Sequence, residues 1–67
     1  MDYESLIGTR VVLRCNNNMT FAGTFVSMMN GNGREYIWVE TDQKSGFSIL
    51  CPVEFVEELV HIPITPV

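Results

Sequence analysis

Residues 11–39, VVLRCNNNMTFAGTFVSMMNGNGREYIWV, decide the fold. Residues 10–15 alternate as a strand does, with Val11, Leu13 and Cys15 on one face and Arg10, Val12 and Arg14 on the other. Asn16-Asn17-Asn18 follows; asparagine accepts positive φ and imitates turn hydrogen bonds, so a tight hairpin is expected there. A longer strand then runs from Met19 to about residue 28, with Met19, Phe21 and Phe25 on one face and Thr20, Ala22, Thr24 and Val26 on the other. Gly23 interrupts its first face. A position without a side chain weakens a strand unless the chain bends there or another backbone comes close. Gly23 is therefore read as a bend, of the kind that lets five short strands close around a small core. Asn30-Gly31-Asn32-Gly33 forms the next tip, and residues 35–41 make a third strand with Ile37 and Val39 inward and Tyr36 and Trp38 outward.

The flanks complete the plan. Tyr3-Glu4-Ser5-Leu6-Ile7 reads as a short helix, capped by Asp2 and stopped by a left-handed Gly8, with Leu6 and Ile7 packing on a barrel end. Residues 42–46 are a polar turn, and residues 47–51 a fourth strand whose adjacent Ile49 and Leu50 point to burial on both faces. Pro52 cannot donate a ladder hydrogen bond and breaks that strand. A single turn at Pro52-Val53-Glu54 leads into a fifth strand, residues 55–62, which Pro63 and Pro66 end; residues 63–67 are an extended tail. The expectation is one all-β domain over residues 1–67. Its parts are a helix within 1–8 and, over 10–62, a small barrel of five strongly bent antiparallel strands.

Composition narrows the function. At 67 residues a single core is only marginally stable alone. Yet the chain is 46% hydrophobic and carries seven aromatic residues against twelve charged ones, a surplus that points to burial between copies of the chain. The formal charge of −4 lacks the basic stripe of a sequence-blind DNA binder. Any nucleic-acid contact is then local, and Arg10, Arg14 and Arg34, repeated around a ring of identical subunits, would form a positive belt. The acidic start Met1-Asp2-Tyr3-Glu4 is not the pattern of a signal peptide, and no run is long and apolar enough to span a bilayer. A cytoplasmic protein with no membrane partner is expected. Cys15 and Cys51 lack paired-ligand spacing, and with His61 make only three soft ligands in separate segments. Free, buried or half-buried thiols and no metal are therefore expected.

The layout resembles the Sm/LSm family of small RNA-binding proteins. Leu6-Ile7-Gly8-Thr9-Arg10-Val11-Val12-Leu13 is similar to the end of that family's helix and its first strand. Asn16-Asn17-Asn18-Met19-Thr20-Phe21-Ala22-Gly23-Thr24-Phe25 is similar to its polar turn and its bent, glycine-containing second strand. Tyr36-Ile37-Trp38-Val39 takes the place of its third strand. Phe47-Ser48-Ile49-Leu50-Cys51-Pro52-Val53-Glu54-Phe55-Val56 takes the place of its second motif, where strand four turns into strand five. The resemblance covers nearly the whole chain in layout and little of it in letters, and other SH3-like barrels share the plan. It implies a ring with RNA near its pore. Two departures bear on the base pocket. The loop before strand three is enlarged, and Cys51-Pro52 stands where the family has an arginine-glycine pair.

The nucleic-acid-binding candidates are Asn30, Asn32, Arg34 and Tyr36, with Cys51 added by its position in the family pattern alone. Tyr36 can stack on a base and Arg34 can meet a phosphate or stack. Arg34 can equally bridge Glu35 or face solvent. Asn30 and Asn32 can read base edges, although their repeated Asn-Gly is first a turn signal. Trp38 is expected against the N-terminal helix or a neighbouring subunit. Glu57 and Glu58, adjacent on a strand, face opposite sides and form no acid–base pair, and His61 has no evident catalytic partner. The functional expectation is non-catalytic binding of RNA, and of single-stranded DNA as well, by a homo-oligomeric ring serving nucleic-acid processing, with no cofactor. Strands four and five would form its seam. The alternative is a structural or protein-interaction SH3-like module without nucleic-acid binding.

Overall fold

The structure, a computed structural model, describes residues 3–42 and 46–62. Asp2 as a cap, the middle of the turn after Asp42 with Lys44, and the tail 63–67 lie outside the described residues. Five antiparallel strands make one sheet: β1 (Arg10–Cys15), β2 (Thr20–Gly31), β3 (Arg34–Thr41), β4 (Ser48–Pro52) and β5 (Val56–His61), in the order β4-β3-β2-β1-β5. This is the small all-β, barrel-like fold expected. The short helix expected at the start is a 3-10 turn, Tyr3–Leu6. Its end is tied down locally, because Thr9 donates to the Leu6 carbonyl from both its amide, at 3.0 Å, and its hydroxyl, at 2.7 Å. Gly8 then turns the chain at φ 88°, and its amide donates to the Phe25 carbonyl at 2.7 Å.

β2 organises the sheet. Its first half pairs with β1, from Arg14↔Thr20 to Arg10↔Thr24, and its second half with β3, from Gly23↔Thr41 to Gly31↔Arg34. Gly23 therefore has a strand on each side. A Cβ built there would run into the Glu40 carbonyl and lie 2.8 Å from the Thr41 Cα, so the close approach of β3 requires glycine. A bulge between Phe25 and Ser27 adds further bend and shifts the facing of later residues. Met28, beyond it, packs on the core, while Ser27 and Met29 sit outside.

The core is Val11, Leu13, Phe25, Ile37 and Val39, each with no exposed surface, closed by Cys51 at 5%. All six alternate with outward residues, which is the pattern of a sheet curled around one apolar face. The buried hydroxyl of Thr41 donates to the Phe47 carbonyl at 2.8 Å, closing the turn between β3 and β4. Leu50 departs from expectation. It is 54% exposed, because it lies on the outer face of the sheet across from Trp38, while Ile49 and Cys51 point in. A second 3-10 turn, Val53–Phe55, carries the chain from β4 to β5, and the Phe55 carbonyl accepts from the Asn16 amide at 2.9 Å.

One ion pair clamps the start of β1 to the end of β3. Arg10 Nη1 donates to Asp42 Oδ1 at 2.7 Å and Nη2 to Oδ2. That hydrogen bonding, with a smaller share from charge attraction, holds the Asp42 carboxyl below its ordinary value against an opposing desolvation. A carboxyl lowered by folding adds stability above its unfolded pKa and loses it as pH falls through the folded value. Melting temperatures from about pH 7 to about pH 3 should therefore fall more steeply for the native chain than for Asp42→Asn. Because both groups face solvent, the difference should be small. Parallel curves would show that the pair contributes nothing.

Candidate nucleic-acid interface

The β2–β3 hairpin carries most of the candidate residues. Asn32 and Gly33, at φ 53° and 75°, form a two-residue turn of the left-handed kind that suits a twisted hairpin. The ladder continues to Gly31↔Arg34 at its foot, so β2 is longer than expected and Asn30 lies within it rather than in a loop. Alternation then sorts the side chains. Ile37 and Val39 point into the core, so Trp38, Tyr36 and Arg34 share the outer face of β3. Across from them on that face stand Met29, opposite Tyr36, and Leu50, opposite Trp38. A side chain at Gly31 would reach the Tyr36 ring edge at 3.9 Å; glycine leaves that flank of the ring uncovered.

Five candidates thus occupy four environments. Arg34 and Tyr36 stand side by side on the outer face. Asn32 is at the turn beside Arg34. Asn30 pairs with Glu35 on the other face of the hairpin and does not join them. Cys51 faces the core opposite Ile37, with its thiol 3.5 Å from that of Cys15 and donating to the Pro52 carbonyl at 3.4 Å. A ligand on the outer face cannot reach it, because the sheet lies between.

Arg34 is held by Glu54, whose Oε1 is 3.1 Å from Nε, and the two flank a groove of about 310 Å³ with Gly33, Glu35 and Val53. Glu54 was not among the candidates. Continuing the β3–β4 register beyond Tyr36↔Pro52 brings it across from Arg34, a relation visible only once that register is known. A second, apolar groove of about 300 Å³ lies between Met29, Trp38, Ser48 and Leu50. Trp38 and Leu50 contribute to it from neighbouring strands.

Charge departs from expectation. Arg14 faces Glu58 at 3.8 Å, so all three arginines among the described residues are paired with acids of the same chain. Within the chain, the three arginines expected to supply a positive belt each face an acid. Arg34 and Glu54 are each about half exposed, so water screens their pair and the guanidinium can exchange partners at little cost. Among the described residues no three His, Cys, Asp or Glu side chains gather as a metal site, and no helix is long and apolar enough to cross a membrane. Comparison of the chain with protein-family models, with curated proteins and with solved structures found no match.

Proposed function

We propose that this chain is an Sm-like subunit that binds single-stranded RNA, and single-stranded DNA as well, without catalysis, in a cytoplasmic homo-oligomeric ring serving nucleic-acid processing. The observation that carries the ring is the pair of sheet edges left unpaired among the described residues. β4 and β5 end the strand order, and each bears an exposed apolar residue, Leu50 at 54% and Val60 at 46%. Unpaired edges of this kind invite another strand, and β4 of one copy against β5 of the next satisfies both at once. Phe47 and Phe55, also exposed, extend the apolar surface near that seam.

Arg34 and Tyr36 support the nucleic-acid part. An aromatic ring beside a guanidinium offers stacking for a base and charge for the adjoining phosphate. Strand binding requires Arg34 to leave Glu54 for a phosphate, so the acid acts as a built-in competitor. The test is titration of a labelled single-stranded RNA of about ten nucleotides across a range of salt concentrations. Glu54→Gln is expected to tighten binding severalfold by releasing Arg34. Native affinity and an unchanged salt dependence in Arg34→Ala, with measurable binding by the native chain, would remove Arg34 from the interface.

The specific observation favouring a protein-interaction module instead is the internal pairing of all three described arginines in a chain of net charge −4. Such a module would use the Met29–Trp38–Leu50 groove and give no salt-dependent oligonucleotide binding.

A further inference from the structure

Cys15 ends β1 and Cys51 lies in β4, strands that are not neighbours in the sheet and cysteines 36 residues apart in sequence. The curl of the sheet nevertheless brings their sulfurs to 3.5 Å, bridging the side of the barrel that no β4–β5 ladder closes. Both are free thiols. They differ in access, since Cys15 is half-buried at the mouth of the Asn16–Asn18 turn and Cys51 is 5% exposed. Each also has a fixed neighbourhood. The Cys15 amide donates to the Met19 carbonyl at 2.9 Å, and Cys51 is held between Ile37 and the Pro52 carbonyl.

We propose that Cys15 and Cys51 form a cross-barrel dithiol that a low-molecular-weight disulfide, of the oxidised glutathione class, converts to a disulfide stapling β1 to β4. Cys15 loses its proton to solvent and its thiolate attacks one sulfur of the oxidant. The oxidant's S–S bond breaks, one half leaves as a thiolate that takes up a proton, and the other half remains on Cys15 as a mixed disulfide. Cys51 then gives up its proton, and its sulfur attacks the Cys15 sulfur and expels the second half. Two protein thiols are oxidised by two electrons in all, and the oxidant is reduced to two thiols. To form the bond the sulfurs close from 3.5 Å to about 2.05 Å.

Access sets the order, because the oxidant meets Cys15 first. Burial, with the hydrogen bond to Cys15, pushes the Cys51 thiol up to about 12, so Cys51 stays protonated at neutral pH and serves as the slower, resolving thiol. The staple closes a long loop of the unfolded chain, which should raise the melting temperature by about 10 °C. None of this depends on nucleic-acid binding.

The experiment is incubation of the folded chain with oxidised glutathione, followed by intact mass, thiol alkylation and thermal melting. The expected product is a single chain lighter by two hydrogens, with both thiols protected and a raised melting temperature that reduction reverses. Cys51→Ser should stop at a glutathione adduct on Cys15, and Cys15→Ser should resist modification while folded. If the native chain itself stops at the adduct, links two chains, or reacts only in denaturant, the proposal is overturned. Because those outcomes are read on the native chain, a variant that fails to fold does not protect it.

Discussion

Gly23→Ala is expected to destabilise the chain by about 2–4 kcal/mol, the largest effect of any single methyl group added to it. The new Cβ would overlap the Glu40 carbonyl and crowd the Thr41 Cα, which are backbone atoms and cannot rotate away as a side chain can. Gly23 also pairs with Val11 on its other side, so β2 cannot shift as a body without breaking the β1 ladder. A domain of 67 residues has about 3–10 kcal/mol of stability in all, so this change removes a large part of it. Melting followed by circular dichroism should drop by about 10 °C or more. A melting temperature unchanged within about 2 °C would mean that β3 does not approach β2 as closely as described.

Tyr36→Ala is expected to weaken single-stranded RNA binding about tenfold, the loss of one stacked base. Arg34→Ala should lower affinity less at high salt than at low salt, because it removes a phosphate contact and the counterion release that goes with it. Combined, they should bring binding to the background of the acidic surface. Neither residue lies in the core, so melting temperatures should stay near the native value. Equal affinity for the native chain and the double variant would place any binding elsewhere, with the Met29–Trp38–Leu50 groove the next surface to test.

Much of this fold was legible in the sequence where a local pattern decides the structure. Val11, Leu13 and Cys15 alternate through β1 to its observed end, and the asparagine run closes the hairpin as asparagine chemistry suggests. Asn18 takes φ 65°, the Asn18 amide donates to Cys15, and the Asn17 side chain accepts from the Met19 amide. Gly23 was identifiable because a strand centre rarely tolerates a missing side chain.

Long-range register was not legible. The Asn-Gly repeat signals a turn but not its position, and the ladder extends to Gly31, with only Asn32 and Gly33 left over. The Phe25–Ser27 bulge sets the facing of the residues after it, and strict alternation does not reveal it. Leu50 beside Ile49 suggested a doubly covered strand, and only the β3–β4 register places Leu50 on the uncovered outer face. At the site, Arg34 and Tyr36 were found together because two-residue spacing fixes a shared face. Asn30 went to the opposite face because the Phe25–Ser27 bulge shifts the alternation of β2, and Glu54 and the inward Cys51 depended on the β3–β4 register.

Assembly through the two edges left unpaired among the described residues is read from absolute mass by light scattering on a sizing column. A single closed species of about five or more protomers at micromolar concentration is the expected result, since strand addition between β4 and β5 continues until the ring closes. A monomer at that concentration would contradict it.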